Sequence, residues 1–127
     1  MTPQAYPLGP WFAHLAGPER CLPVEVDAAF WESGVQALPP GRLVSVFESA
    51  ADWQVWECHP DGEEMVIQIE GELVLILEQG GAEVRVPLHP GEFAVVPKGV
   101  WHTADAPVPG RAIYITPGDG TQSRERR

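Results

Sequence analysis

The stretch GEFAVVPKGVWH (residues 91–102) combines an apolar strand, a tight reversal and a histidine. The apolar run ends at Pro97, which has no backbone N–H to donate to a neighbouring strand. Gly99 lets the chain fold back, since glycine readily adopts the left-handed conformations that reversals need. His102 is then expected on the following strand. The stretch therefore predicts a β-protein in which a strand carries a histidine.

A second stretch, ECHPDGEEMVIQIEG (residues 57–71), places an imidazole among carboxylates. Side chains alternate along a strand, so Glu57 and His59 share one face. The turn PDGE leads into an antiparallel strand that begins at Glu64, and cross-strand neighbours lie close together. We therefore expect Glu57, His59 and Glu64 to point towards one place, where a fourth donor from elsewhere in the chain could join them.

Short strands separated by turn residues fill the chain from Arg42 onward. Gly80-Gly81, between two apolar runs, is a strong hairpin signal. About eight such strands, without a convincing long helix, predict an all-β barrel or sandwich over residues 42–117. Seven of the fourteen prolines lie in the first forty residues, so residues 1–41 are expected to form a largely irregular arm over the barrel or a partner subunit. Residues 118–127 are expected to form a flexible tail.

Composition narrows the range of partners and locations. The formal net charge of −10 disfavours nucleic acid and anionic membranes as partners. There is no apolar run long enough to span a bilayer, and the N-terminus lacks the features of a secretory signal, so a cytoplasmic location is expected. Cys21 and Cys58 lack metal-site spacing and are expected to be free thiols.

Apolar residues occupy both faces of some strands, most clearly in LVLIL (residues 73–77). One face packs inside the barrel, and the other must pack against the arm or a second copy of the chain. A homodimer is therefore expected. His14 and His89 lie in arm and turn contexts and are expected to be surface imidazoles.

The two stretches together resemble the motifs of the cupin family. The first motif has the form G-x5-H-x-H-x(3,4)-E-x6-G, and His59, Glu64 and Gly71 match it, with Glu57 in place of the first histidine. The second has the form G-x5-P-x-G-x2-H-x3-N. It is matched by four residues, with Ala106 in place of the asparagine: Gly91, Pro97, Gly99 and His102. The resemblance implies a double-stranded β-helix, a small jelly-roll barrel with an internal pocket.

The resemblance also implies that His59, Glu64 and His102 bind a divalent transition metal such as Fe²⁺, Mn²⁺, Ni²⁺ or Zn²⁺. Two roles for Glu57 remain open. As a fourth ligand it would give a formally neutral site, a weaker Lewis acid suited to Mn²⁺ or Fe²⁺. Away from the ion it would leave a facial triad and act as a general base.

Two functions follow from the resemblance. One is a small metal-dependent enzyme, of dioxygenase, isomerase or lyase type, that acts on a small organic molecule. The alternative is a non-catalytic module that binds a small ligand or forms a dimeric structural unit. Trp53 and Gln68 share the inward face of their strands. We expect Trp53 to wall the substrate pocket, and Gln68 either to contact the substrate there or to satisfy a buried backbone group.

Overall fold

The computed structural model describes residues 2–118 and 120–126, which form nine strands and one short π-helical turn at Phe30–Gly34. The strands are β1 (Trp11–Ala16), β2 (Arg20–Glu25), β3 (Arg42–Ser49), β4 (Val55–Cys58), β5 (Glu64–Gln79), β6 (Ala82–Leu88), β7 (Phe93–Val96), β8 (His102–Pro117) and β9 (Gln122–Glu125). The all-β prediction is confirmed. In the described part of the chain, no helix is of the length and apolarity that crossing a membrane requires.

Two long strands, β5 and β8, pair antiparallel along their length and connect the two layers of the barrel. The first half of β5 pairs with β7 and with the second half of β8, which in turn pairs with β3. The second half of β5 pairs with β6 and with the first half of β8. The register between β5 and β8 shifts between Gln68 and Val74. Bulges bend a sheet, so these shifts lie where the two strands pass from one layer to the other.

The hydrophobic core lies between the two layers. Alternate residues of β5 point inward, and Val66 and Leu75 are fully buried. The same cluster contains eight further buried residues: Leu73, Leu77, Leu88, Val96, Ala104, Ala106, Ala112 and Tyr114. One end of the barrel interior carries polar side chains instead of this apolar packing, and the candidate site lies there.

The N-terminal arm contains regular sheet, so the expectation of an irregular segment is wrong for residues 11–25. β1 pairs with β2 on one side and with β3 on the other, which extends the first layer of the barrel. Pro23 is tolerated because β2 is the edge strand, where a missing donor costs no sheet hydrogen bond. At the start of the following helical turn, the Phe30 N–H donates to Asp27 Oδ1 at 2.8 Å.

The C-terminal segment also differs from the flexible tail expected for residues 118–127. β9 pairs antiparallel with β4 from Val55 to Cys58. The Arg124 guanidinium lies over two indole rings, 5.3 Å from the centroid of Trp56 and 4.6 Å from that of Trp101. Cation–π contacts and sheet pairing therefore hold a segment whose polar composition suggested a solvated terminus.

Candidate metal centre

Three strands bring the predicted ligand side chains together at one end of the barrel. Glu57 lies on β4, and His59 follows directly after that strand. Glu64 is the first residue of β5, and His102 is the first residue of β8. Glu57 and His102 are direct cross-strand partners, so their side chains emerge side by side. The chain reversal at Gly99 contributes to this arrangement, because the Gly99 N–H donates to the carbonyl of His59.

The side-chain tips converge. Glu64 Oε2 lies 3.2 Å from His59 Nε2, and Glu64 Oε1 lies 3.2 Å from His102 Nε2. One potential ligand atom from each of Glu57, His59 and His102 lies within 4.8 Å of the others. His59 and Glu64 are each 4% exposed and His102 is completely buried. The four residues named from the sequence thus form one cluster inside the barrel.

Hydrogen bonds on the far sides of the rings orient the imidazole nitrogens. His102 Nδ1 lies 3.1 Å from the Val100 carbonyl oxygen, which can only accept, so Nδ1 carries the proton and Nε2 keeps its lone pair. His59 Nδ1 lies 2.9 Å from Thr121 Oγ1, and Thr116 Oγ1 donates to Glu64 Oε2 at 2.8 Å. Such outer contacts are typical of residues that bind metal ions.

The inner atoms of the cluster lack hydrogen-bond partners. Within residues 2–118 and 120–126, His59 Nε2, His102 Nε2 and Glu64 Oε1 are buried atoms without an assigned hydrogen-bond partner, and each imidazole Nε2 lies 3.2 Å from a Glu64 oxygen. Leaving buried polar atoms without partners is costly unless something else satisfies them. Two imidazole lone pairs and a carboxylate oxygen directed at one point fit a divalent transition metal ion.

The pKa values of the two carboxyl groups in the cluster shift in opposite directions. Burial alone would raise the pKa of Glu64, but its contacts with His102 and His59 outweigh burial and lower that pKa to about 2. Burial, reinforced by the nearby Glu64 charge, raises the pKa of Glu57. Burial opposes the charged form of His102, yet contact with Glu64 raises its pKa overall. Glu64 is therefore a carboxylate at neutral pH, and an ion competes with protons for His102.

A cavity of about 1150 Å³ adjoins the cluster and reaches the surface. Glu57, His59 and Glu64 line its inner end. Four aromatic residues line its walls: Trp31, Phe47, Trp53 and Tyr114. The loop after the helical turn, residues 35–41, also lines the cavity with all of its residues except Ala37, and we call this loop the roof. Trp53, named from the sequence as a pocket residue, is among the lining residues. The cavity is large enough for a small organic molecule.

Gln68 does not line this cavity, so its assignment to the substrate pocket is not supported. It is 2% exposed, and its Nε2 donates to the Glu70 carbonyl oxygen at 2.6 Å. Gln68 therefore satisfies a backbone group beside the break in the β5 register. That structural role was the alternative left open by its inward position on the strand.

His14 is buried, contrary to the expectation of a surface imidazole. Its side chain is 5% exposed and its Nε2 lies 2.6 Å from the Pro39 carbonyl oxygen, at the roof of the cavity. The reason is that β1 pairs on both sides, which turns the alternate residues Phe12 and His14 inward. The sequence WFAHLA (residues 11–16) contained the signal for this position, because alternation along a strand places His14 on the same face as Phe12. His89 is 59% exposed, as expected.

Other residues around the site were missed or left unplaced by sequence reasoning. Tyr114 lines the cavity, and burial raises the pKa of its phenol, which stays protonated at neutral pH. Alternation along β8 is enough to turn Tyr114 inward. Thr116 and Thr121 contact Glu64 and His59, but no motif marks them. Thr121 lies just before β9, whose pairing with β4 the sequence did not suggest.

The arrangement described so far is a two-layer jelly-roll barrel with a histidine–carboxylate cluster at one end. Residues 34–119 match the family model described as "Cupin domain", more than half of the chain. The chain therefore belongs to the cupin domain family, as the two motifs had indicated. No match is found among curated proteins.

Solved structures agree with this fold. A cupin-2 domain containing protein from Shewanella frigidimarina is 27% identical, with a TM-score of 0.53 over 61% of this chain and 71% of that one. A cupin superfamily protein from Desulfitobacterium hafniense is 22% identical, with a TM-score of 0.52 over 61% and 68%. Oxalate oxidase in complex with the substrate analogue glycolate is 16% identical, with a TM-score of 0.54 over 64% and 45%. The last two similarities support the fold alone.

Proposed function

We propose that the chain binds a divalent transition metal ion through His59, Glu64 and His102, and that it acts there on a small organic molecule. The observation that carries the proposal is the set of buried, unsatisfied imidazole and carboxylate atoms that face one another at the inner end of an open cavity. An ion would satisfy all three groups together. The choice among Fe²⁺, Mn²⁺, Ni²⁺ and Zn²⁺ is left to measurement.

The residues around the cavity support an enzyme of dioxygenase, isomerase or lyase type. A divalent ion at the cluster would polarise an oxygen of the bound molecule. Glu57 lies both in the cluster and in the cavity lining, a position from which a carboxylate can bind the ion or exchange a proton with the substrate. The Tyr114 phenol is available as a hydrogen-bond donor, and Trp53 packs against the rings of His102 and Tyr114 at centroid distances of 6.4 and 6.1 Å.

Metal analysis tests the ion site. After reconstitution with each of the four ions, the wild type should retain about one ion per chain, and His102→Ala should lose it together with part of its stability. His89→Ala is the matched control, because it removes an exposed imidazole outside the cluster. Full occupancy in His102→Ala, or less than about a tenth of an ion per wild-type chain, contradicts the site.

A Glu57→Gln variant separates the two roles proposed for this residue. A large loss of metal affinity would assign Glu57 as a ligand. Retained metal with lost turnover would assign it as an acid–base group. If both occupancy and turnover are unchanged, neither proposed role is correct.

The alternative is a non-catalytic cupin that captures a small ligand. Two carboxylates beside one divalent ion would cancel its charge and weaken it as a Lewis acid, which favours binding over turnover. Ligand binding measured by calorimetry, with full metal occupancy and no product, would favour this module. The cytoplasmic location and the exclusion of nucleic acid and membranes as partners remain predictions.

A further inference from the structure

The aromatic residues of the cavity form a continuous wall from its mouth to the metal cluster. Trp31 and Phe47 have ring centroids 6.1 Å apart, and both are about half exposed, where the cavity reaches the surface. The Phe47 ring lies 6.0 Å from that of Tyr114, and the Tyr114 ring lies 6.1 Å from that of Trp53. Trp53 in turn contacts the ring of His102. We call Trp31, Phe47, Tyr114 and Trp53 the aromatic wall.

The rest of the lining adds apolar surface to this wall. The roof contributes four apolar residues to it: Val35, Leu38, Pro39 and Pro40. Neighbouring rings of the aromatic wall are tilted against one another, so that both faces and edges of rings border the cavity. An aromatic ligand gains from edge-to-face and offset contacts with such rings, beyond the apolar area that it buries. A flat aromatic ring should therefore bind here better than a saturated ring of similar size.

The charged groups of the lining are mostly acidic. Five carboxyl groups line the described part of the cavity: Glu48, Glu57, Asp61, Glu63 and Glu64. Arg42 is the single lysine or arginine among the described lining residues, and its side chain is exposed. A divalent ion at the cluster would offset two of the negative charges, and Arg42 would offset a third. The lining therefore keeps a net negative charge even with an ion bound.

We propose that the cavity selects a molecule with an aromatic ring and no negative charge, either neutral or bearing an amine. This preference rests on the proposed function, because it describes the molecule on which the metal centre would act. A carboxylate or phosphate that enters loses its hydration and meets a lining of its own sign. An alkylammonium group also loses hydration, but it meets carboxylates and aromatic faces, both of which attract cations.

Three matched probes test the charge preference. 2-Phenylethylamine, 2-phenylethanol and phenylacetate share a phenyl ring and a side chain of similar length, and at pH 7 they are cationic, neutral and anionic. Their dissociation constants are measured by ligand-observed NMR with the full chain at low ionic strength. The amine and the alcohol should bind with Kd values of about 10 mM or below, as expected for ligands of this size. Phenylacetate should bind at least about tenfold more weakly than the alcohol.

A saturated ring tests the aromatic wall. 2-Cyclohexylethanol should bind about two- to tenfold more weakly than 2-phenylethanol, although its ring is the more apolar. Phe47→Leu should reduce this preference by about twofold, because it removes one ring of the wall. Phe93→Leu is the matched control. It also removes an exposed phenylalanine, but from β7 and outside the described lining, so the preference should not change.

Removal of two acidic side chains tests the origin of the charge preference. Glu48→Gln combined with Glu63→Gln should narrow the gap between phenylacetate and 2-phenylethanol by at least about twofold. Both residues are exposed, so the double variant should fold, which circular dichroism checks. Glu83→Gln is the matched control, because Glu83 is an exposed residue of β6 outside the described lining, and its variant should keep the wild-type gap.

The metal content of the same samples separates this preference from the proposed ion site. A wild type that holds no ion but ranks the probes as expected contradicts the ion site alone. Phenylacetate that binds as tightly as 2-phenylethanol to an ion-loaded wild type would overturn the preference, and so would equal binding of the saturated and aromatic alcohols. Failure of all the probes to bind at about 20 mM would also overturn it, as would an unchanged gap in the folded double variant or an equal change in Glu83→Gln.

Discussion

The hydroxyl of Thr121 offers a sharp test of how the metal centre is built. Thr121 Oγ1 lies 2.9 Å from His59 Nδ1, on the side of the ring away from the cluster. If His59 binds an ion through Nε2, its proton must reside on Nδ1, and Thr121 accepts it. Thr121→Val keeps the side-chain volume and removes this acceptor.

Thr121→Val should destabilise mainly the metal-bound state of the protein. In the metal-free variant the His59 proton can move to Nε2, which faces Glu64 at 3.2 Å. Binding of the ion forces the proton back to Nδ1, which has lost its threonine acceptor. Loss of such an outer contact lowers metal affinity about 10- to 100-fold, which corresponds to about 1.4–2.7 kcal/mol.

A competition titration with a chelating dye and Zn²⁺ measures the change. Thr103→Val is the control, because it also removes a threonine hydroxyl, which here donates to the Val55 carbonyl oxygen and not to a predicted ligand. We expect Thr103→Val to lower stability while Zn²⁺ affinity stays within about threefold of the wild type, below the range for an outer-contact loss. Equal Zn²⁺ affinity in the wild type and Thr121→Val would refute this account of His59.

Three further predictions concern stability and use urea unfolding. Leu75→Ala should cost about 2–5 kcal/mol because the side chain is fully buried, whereas Val84→Ala, at an exposed site, should cost less than about 0.5 kcal/mol. Arg126 holds the pKa of Asp105 below its usual value, so this pair stabilises the fold above about pH 4 and loses its effect as the pH falls through the lowered pKa. Asp105→Asn should therefore destabilise the protein by up to about 1 kcal/mol at pH 6 and leave stability unchanged at the acid end, and equal losses at both pH values would contradict this. Gly110→Ala should lower the free energy of unfolding by about 3 kcal/mol, because the added Cβ would overlap the backbone of Glu70 in the neighbouring strand. Unchanged stability of this variant would contradict the expected overlap.

The centre of the molecule could be predicted from sequence because its signals are local. Pro97 and Gly99 fix a reversal within a few residues, and alternation assigns Glu57 and His59 to one face. The convergence of His102 with this pair came from the family resemblance, since spacing along the chain does not show which distant strands become neighbours.

The two ends of the chain could not be predicted in the same way. Proline content argued against strands in the arm, yet an edge strand accommodates Pro23 without losing a sheet hydrogen bond. The polar sequence of β9 did not indicate a strand. The stability of β9 comes from partners elsewhere in the chain, including the two indole rings that Arg124 contacts. Composition is a property of the segment alone. Whether the segment forms a strand also depends on an unpaired strand edge elsewhere, and that edge exists only once the barrel has assembled.

The cavity combines parts with separate origins along the chain. The cluster residues lie on or beside β4, β5 and β8, whereas the roof is formed by residues 35–41 and held by the contact between His14 and Pro39. Exchanging the first forty or so residues for those of a relative would thus change which molecules enter, while the inner cluster keeps its geometry. The roof and the inner cluster come from different stretches of polypeptide, so either can change while the other stays constant.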